Sequence, residues 1–441
     1  MKLRFGKTAA GDFEFEWIRT LSQASTGGAL LGECVAAAHA IRNGDFASWT
    51  RVWAQLGDRM LTLGQRAEAA GHRVTARDLF LRASNYYRSA AFYASPGEPS
   101  HRKLFMSSRS SFHQAIGCGL PAEPIAIPFA GHELPGYFVG CARSPAPTLI
   151  AHGGFDSTAE ELYHWIGVHA AARDWNCLIF EGPGQWGPVF DDPPLLMRPD
   201  WEVPVEAVVD WALQRPEVDG EHLALIGYSL GGYLAPRAAA FDQRIRACIA
   251  SPLGVDIGTA FRVLWPSIIR ELPQTVFDGL ASAVAGVSPT ARWALQHARW
   301  SMGITTAHEL FEITRPYTLQ GLEAKLTCPL LVVVGEDDIE NLQTRLVLET
   351  FDFMAHLKSG CEIRLFTREA GGASHCQMEA TPAAAACVMD WLATLIGTRG
   401  MRAPILAASE ADFELIKTHH GADAAEHCRL AMKAATSSMP A

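Results

Sequence analysis

Hydrophobic and polar positions along the chain follow two different periods on either side of about residue 122. In the first part, apolar and small residues recur at spacings of three and four, which predicts helices over 32–41, 49–70 and 76–93. In the second part, two short apolar runs on either side of Gly131 predict a β-hairpin. The change of period therefore predicts an N-terminal helical domain over residues 1–121.

Beyond the hairpin, six short and continuous apolar runs are typical of buried parallel strands. Helical patterns lie between several of them, for example over 203–213 and 233–240. Strands that alternate with helices predict an α/β fold with a doubly wound, mostly parallel sheet. In such a sheet, the loops that follow the carboxyl ends of the strands lie at one edge, where ligands bind. The six predicted strands are 148–151, 177–180, 223–227, 247–250, 330–334 and 362–366.

Two segments depart from this alternation. The interval between residues 251 and 330 is too long for one crossover helix, so we predict an inserted helical cap over 257–326. The cap divides the sheet domain into a first part, 122–256, and a second part, 327–398. The tail, 399–441, carries helical patterns over 410–417 and 424–434, and Ser409 is placed to act as the N-cap of the first.

Composition and charge narrow the classes of function. The 441 residues are 49% hydrophobic and 19% charged, as expected for a globular protein with a large core. A net charge of −10 without any Lys/Arg-rich run argues against nucleic-acid binding.

Neither a secretory signal nor a run of ~18–20 apolar residues is present, so we expect a cytoplasmic protein that does not span a membrane. The ten cysteines form no C-x-x-C pair, which favours buried thiols over a metal site.

The pentapeptide Gly227-Tyr-Ser-Leu-Gly231 lies directly after a predicted strand and directly before a predicted helix. Such a turn strains the backbone of the central serine, and glycines on both sides remove side chains that would clash. The hydroxyl is left exposed at a helix N-terminus, which favours a developing negative charge. Ser229 is therefore predicted to be a nucleophile.

A second glycine-rich turn, His152-Gly-Gly-Phe155, follows an earlier strand. Glycines in such a loop allow backbone N–H groups to approach the oxyanion of a tetrahedral intermediate. The amides of Phe155 and of Leu230, the residue after the predicted nucleophile, are the expected donors. We interpret His152 as a structural hydrogen-bonding residue rather than as the catalytic base.

A serine nucleophile needs a base and an orienting acid, which follow it along the chain in the order acid and then histidine. Glu336, Asp337 and Asp338 come directly after a predicted strand, and we favour Asp338, with Asp337 as the next candidate. His375 lies in a glycine-rich loop after the following strand and is the only histidine between residues 357 and 418. It is predicted to be the base.

Five motifs in order resemble the α/β-hydrolases typified by 2,6-dihydroxypseudooxynicotine hydrolase and the fungal polyketide-shortening hydrolases of the yellowish-green pigment type. The N-terminal helices, with Ser84-Asn-Tyr-Tyr-Arg88, resemble that family too. The chain departs from the family pattern at two places: Trp186 stands before Gly187, and no proline closely follows Asp338. The motifs are His152-Gly-Gly-Phe-Asp-Ser157, Glu181-Gly-Pro-Gly-Gln185, Gly227-Tyr-Ser-Leu-Gly-Gly232, Gly335-Glu-Asp-Asp338 and Gly372-Ala-Ser-His-Cys-Gln377.

The resemblance implies the α/β-hydrolase fold and hydrolysis of a carbon–carbon bond beside a ketone, without a cofactor or a metal. It assigns Ser229, Asp338 and His375 to the triad, and it suggests a homodimer. A small aromatic or polyketide-like substrate is expected, and its candidate contacts are Tyr86, Tyr87, Tyr228, Trp186, Trp265 and Trp293. Two alternatives stay open: the same triad acting on an ester, thioester or amide, and a binding protein that has lost catalysis.

Overall fold

The computed structural model describes residues 11–263, 265–397 and 408–437. Its N-terminal region consists of helices, and those predicted over 32–41, 49–70 and 76–93 are present. The longest of them begins at Phe46, because the Asp45 side chain accepts a hydrogen bond from the Ser48 amide at 3.0 Å and caps it. The helices are α1 (Gly11–Ser22), α2 (Leu31–Ala40), α3 (Phe46–Ala69), α4 (Arg73–Phe92) and α5 (Pro99–Gly117).

Helix α4 is buried along most of its length, which explains why its aromatic residues occupy more than one face. Its Arg88 lies inside the protein and pairs with Glu16 of α1 at 3.1 Å and with Glu161 at 3.3 Å. Arg19 of α1 also binds Glu161, at 2.8 Å. Because buried charges are costly unless they are paired, this network holds the N-terminal helices in one position against the sheet domain.

The centre of the protein is an eight-stranded sheet in the order β1-β2-β4-β3-β5-β6-β7-β8. The predicted hairpin forms β1 and β2, which pair antiparallel, and every pair from β4 to β8 is parallel. The strands are β1 (Glu123–Phe129), β2 (His132–Val139), β3 (Ala146–His152), β4 (Asn176–Phe180), β5 (Val218–Tyr228), β6 (Ile245–Ser251), β7 (Leu330–Gly335) and β8 (Cys361–Phe366).

Helices cover both faces of the sheet, as the doubly wound pattern predicts. Those between β3 and β6 are α6 (Ala159–Leu162), a π-helical turn (Tyr163–Gly167), α7 (Val168–Ala171), α8 (Trp186–Val189), α9 (Glu202–Ala212) and α10 (Gly231–Ala239). The cap between β6 and β7 is helical, with α11 (Ile257–Val263), α12 (Ser267–Arg270), α13 (Gln274–Val287), α14 (Pro289–Met302) and α15 (Glu309–Ile313). The remaining helices are α16 (Glu336–Asn341), α17 (Thr344–Ala355), α18 (Thr381–Gly397), α19 (Glu410–His420) and α20 (Ala422–Ser437).

The tail packs onto the sheet domain. Ser409 caps α19 in a reciprocal hydrogen-bonding pair with Asp412, as predicted, and Phe413 and Ile416 are buried in the same cluster as β7 and β8. The tail is therefore a part of the hydrophobic core. The predicted boundary between 398 and 399 lies outside the described residues, as do 1–10 and 438–441.

None of the helices that the structure describes is long and apolar enough to cross a membrane.

Candidate active site

Ser229 occupies the sharp turn between β5 and α10. Its φ of 58° lies in the left-handed region, where a residue with a side chain is strained. Glycines make the turn possible: a Cβ on Gly227 would lie 2.0 Å from the carbonyl oxygen of Gly231, and one on Gly232 would lie 1.7 Å from that of Pro252. The backbone therefore presents the Ser229 hydroxyl at the carboxyl edge of the sheet.

His375 connects the serine to an acid. Its Nε2 lies 2.9 Å from Ser229 Oγ, and its Nδ1 lies 2.7 Å from Asp338 Oδ1. The three side chains come from the ends of three different strands, β5, β7 and β8, which meet at one edge because the strands are parallel. Both contacts lie within the reach of proton transfer.

Of the three acidic residues after β7, the structure brings only Asp338 to the histidine, and Glu336 pairs with Arg368 at 2.9 Å. Asp337 instead forms an ion pair with Arg368, at 2.5 Å between Oδ1 and Nη2. The Asp337 and Asp338 carboxylates lie on α16, where consecutive side chains point about 100° apart, so only one can face His375.

The surroundings of His375 change its pKa in opposite directions. Burial lowers the pKa, but the adjacent Cys376 and the Asp338 carboxylate outweigh burial and raise it well above 6.5. The imidazolium is therefore stabilised, as expected for a histidine that takes a proton from a nucleophile.

The two predicted oxyanion donors lie beside this serine. Phe155 and Leu230 both line the cavity above Ser229, and a Cβ on Gly154 would approach the Leu230 nitrogen to 2.5 Å. Within the described parts of the chain, neither amide donates a hydrogen bond to a protein acceptor. Both N–H groups therefore remain available to an acceptor other than the protein.

A cavity of about 620 Å³ opens over the hydroxyl. Its wall is largely apolar and combines α1, the loop after β6, the cap and α17. No lysine or arginine side chain is found among its lining residues in the described part of the chain. Those residues include Phe15, Phe155, Leu230, Leu253, Val255, Asp256, Ile257, Phe261, Met302, Asp337, Leu342, Leu346, Glu349 and Thr350.

Comparison with known proteins gives the family. Residues 148–386 match the sequence model of the alpha/beta hydrolase family. This chain belongs to the alpha/beta hydrolase family. The match contains Ser229, Asp338 and His375, and it confirms the fold class expected from the sequence.

Relatives of the same family support the assignment to hydrolases. Hydrolyase poxO of Penicillium oxalicum is 35% identical over 370 residues, which cover 78% of this chain and 87% of poxO. The 20-hydroxy-prefusarin hydrolase FUS2 of Gibberella moniliformis is 34% identical over 352 residues, 75% of this chain and 84% of FUS2. The crystal structure of 2,6-dihydroxy-pseudo-oxynicotine hydrolase shares the fold, with a TM-score of 0.67 and 19% identity over 88% of this chain and 98% of that one. The family resemblance drawn from the motifs is confirmed.

The aromatic residues predicted to contact substrate lie elsewhere in this alpha/beta hydrolase. Tyr86 and Tyr87 are buried and donate their hydroxyls to Glu33 and Asp58. None of the six candidates lines the cavity over Ser229, because each packs against other parts of the protein. Tyr228 packs on Trp165, Trp186 on Phe105, Trp265 on Phe277 and Trp293 on Phe92.

The cavity wall contains residues that sequence reasoning missed. Phe15 of α1 lines the cavity and its ring centroid lies 6.4 Å from that of His375. Three of the lining residues follow β6: Leu253, Ile257 and Phe261. Their position after the carboxyl end of a parallel strand is a sequence signal that indicates a place near the ligand site. No local pattern pointed to Phe15.

His152 has the structural position expected of it. It is fully buried, burial lowers its pKa to about 4, and its Nδ1 lies 2.8 Å from the Gly153 carbonyl oxygen. It makes no hydrogen bond to Ser229 in the described structure. Among the described residues, no three metal-ligating side chains lie together in one place.

We predict that Gly227→Ala destabilises the protein by about 2–4 kcal/mol, because the added methyl collides with backbone rather than with a movable side chain. Gly32→Ala is the matched control: its Cβ would meet nothing within 4 Å, so it leaves stability unchanged or raises it by up to ~1 kcal/mol. Urea unfolding of both variants measures the difference. Equal midpoints for the two variants would refute the steric account of the turn.

Proposed function

We propose that this chain is a serine hydrolase that cleaves a carbon–carbon bond next to a ketone in a small aromatic or polyketide-like substrate. The proposal is carried by one observation, the continuous hydrogen-bonded series from Asp338 through His375 to Ser229 at the base of an apolar cavity. Nucleophile, base and orienting acid are the parts that acyl transfer requires.

In the first step, Ser229 Oγ attacks the substrate carbonyl while His375 Nε2 takes its proton. Asp338 holds the ring and stabilises the imidazolium. The carbonyl oxygen becomes an oxyanion, which the Phe155 and Leu230 amides bind. Each good donor of this kind contributes about 3–4 kcal/mol of transition-state stabilisation.

In the second step, the tetrahedral adduct collapses and the bond between the carbonyl carbon and its α-carbon breaks. The electron pair leaves on the α-carbon, and His375 returns its proton there. The substrate itself must delocalise this carbanion, as a second carbonyl or an aromatic ring does. A water molecule, deprotonated by His375, then hydrolyses the acyl-enzyme and releases a carboxylic acid.

The cavity supports a neutral, largely apolar substrate. Phe15, Phe155 and Phe261 provide aromatic surface. Apart from Asp338 and His375, the charged side chains of the described lining are the acidic Asp256, Asp337 and Glu349. An anionic acyl group would meet these carboxylates without a compensating cation in the described lining. The similar proteins 20-hydroxy-prefusarin hydrolase and 2,6-dihydroxy-pseudo-oxynicotine hydrolase are likewise named for small organic molecules.

Parallel assays separate carbon–carbon cleavage from ester hydrolysis. The purified protein is given aryl β-diketones and acylphenol ketones alongside p-nitrophenyl esters of matched acyl groups, and acid release is followed by mass spectrometry. We expect diketone cleavage that disappears in Ser229→Ala. Rapid ester turnover with untouched diketones would replace the proposal by esterase activity.

The pH dependence follows from the raised pKa of His375. The imidazole must be neutral to accept the serine proton, so kcat/KM rises with pH and its acidic limb lies above pH 6.5. Asp338→Asn removes one of the charges that raise this pKa and therefore moves the limb to lower pH. Profiles of the wild type and the variant, over roughly pH 5–10, test this. An acidic limb below 6.5 in the wild type would contradict it.

A further inference from the structure

The loop that carries the Phe155 amide is held by side chains from two other parts of the protein, the loop after β4 and the cap. Four consecutive carbonyl oxygens, from residue 153 to residue 156, each accept a hydrogen bond from a side chain outside the loop. Gln185 Nε2 donates to Gly153 at 2.8 Å and to Gly154 at 3.1 Å, His297 Nε2 lies 2.7 Å from the Phe155 oxygen, and Trp186 Nε1 donates to Asp156 at 2.8 Å.

These contacts fix the direction of the Phe155 N–H. In a trans peptide the C=O and N–H bonds point in opposite directions, so a held carbonyl also fixes the amide of the next residue. The Gly154 carbonyl belongs to the peptide unit that carries the Phe155 N–H, and Gln185 holds it. The Phe155 carbonyl belongs to the following unit, and His297 holds that one. With both planes fixed, the Phe155 amide cannot rotate away from the serine.

His297 is the contact that the cap supplies. It lies on α14, is 3% exposed, and its ring stacks on Trp293 and meets Phe155 edge-on at a centroid distance of 4.5 Å. Burial lowers the pKa of His297, so the ring is neutral near neutral pH. Because a carbonyl only accepts, the single proton of the neutral ring lies on Nε2. His297 is absent from the residues lining the cavity in the described structure.

We propose that His297 is a positioning residue of the oxyanion hole, through which the cap holds the Phe155 amide in its reactive direction without touching the substrate. The inference rests on the proposed function, in which Phe155 donates to the oxyanion. A donor bound only in the transition state affects kcat and leaves KM almost unchanged. Since displacements of about 1 Å cost up to 10²-fold, loss of the contact is expected to lower kcat by about 10- to 100-fold.

Three variants test this role. His297→Phe removes the donor and keeps an aromatic ring, while His297→Gln keeps an N–H at the position of Nε2. His101→Phe is the matched control, because His101 is a buried histidine of the same aromatic cluster, 4.9 Å from Trp186, and makes no hydrogen bond to the loop in the described structure. For each protein, kcat and KM on a p-nitrophenyl ester and the melting temperature are measured.

The inference predicts that kcat falls by about 10- to 100-fold in His297→Phe at nearly constant KM and that most of it returns in His297→Gln. The melting temperature should change as much in His101→Phe, where kcat stays near the wild-type value. A kcat in His297→Phe equal to that of His101→Phe would overturn the inference. If His297→Phe does not fold, His297→Asn takes its place, because the Asn amide is too short to reach the carbonyl. The same changes in kcat, KM and melting temperature are then expected for His297→Asn.

Labelling of the wild type with a fluorophosphonate probe distinguishes a failure of the inference about His297 from a failure of the proposed function. If Ser229 is labelled and the His297 variants behave like the control, only the role of His297 fails. If Ser229 of the wild type is not labelled, the proposed function itself fails, and the inference fails with it.

Discussion

Ser229→Ala is expected to lower kcat by roughly 10⁶-fold while KM stays close to the wild-type value. The expectation follows from the geometry, because Ser229 Oγ is the one hydroxyl that contacts His375 Nε2 in the described structure, at 2.9 Å. Removing it leaves the base without a nucleophile to activate. Residual rate then comes only from binding and from the oxyanion donors. Steady-state kinetics on the best substrate of the panel measures the loss.

Ser359→Ala is the control for this loss, since Ser359 donates a hydrogen bond to the Leu326 carbonyl and is not among the described residues that line the cavity. We expect it to keep the wild-type kcat. Circular dichroism and melting curves establish that both variants are folded. A Ser229→Ala protein that retains more than about 1% of kcat would show that another group performs the attack.

Asp338→Asn should lower kcat by about 10⁴-fold. The amide carries no charge to stabilise the imidazolium. Its N–H can also donate to an unprotonated Nδ1, which places the ring proton on Nε2, where it prevents removal of the serine proton. The 2.7 Å contact between Asp338 Oδ1 and His375 Nδ1 is the observation behind this expectation. Single-turnover kinetics is the direct measurement, because it isolates the acylation step.

Asp337→Asn provides a nearly isosteric control one residue away. Asp337 pairs with Arg368, which is 48% exposed, and such pairs contribute at most ~1 kcal/mol. Asp337 lines the cavity but makes no contact with His375 in the described structure, so its substitution can change KM and should change kcat less than about fivefold. A larger loss in Asp337→Asn than in Asp338→Asn would mean that the acid of the triad had been assigned to the wrong residue.

That Ser229, His375 and Asp338 lie together could be predicted because each follows a buried strand, and parallel strands bring their carboxyl ends to one edge. The choice between Asp337 and Asp338 was harder, since neighbouring residues on a turn have no distinguishing pattern. It depends on how α16 is rotated, which the ion pair of Asp337 with Arg368 reveals. Contacts outside the motif therefore determine which of the two carboxylates faces His375.

The substrate-facing wall could not be predicted in the same way. Aromatic residues on more than one face of α4 fit either a helix packed on two sides or one that lines a cavity, because periodicity does not say what covers a face. In the structure, Tyr86 donates its hydroxyl to Glu33 and does not line the cavity over Ser229. Trp186 is another residue predicted to contact substrate. In the structure its indole instead donates to the Asp156 carbonyl. Phe15 reaches the cavity through the packing of α1, a long-range contact without a local signal.

The central claim is that Ser229 becomes covalently attached to the acyl group. Mass spectrometry of the protein treated with a fluorophosphonate tests it most directly, with peptide mapping of the modified residue in the wild type, Ser229→Ala and Ser359→Ala. We expect one phosphonyl group on Ser229 in the wild type and in Ser359→Ala, and none in Ser229→Ala. A label on a different residue, or equal labelling of Ser229→Ala, would contradict it.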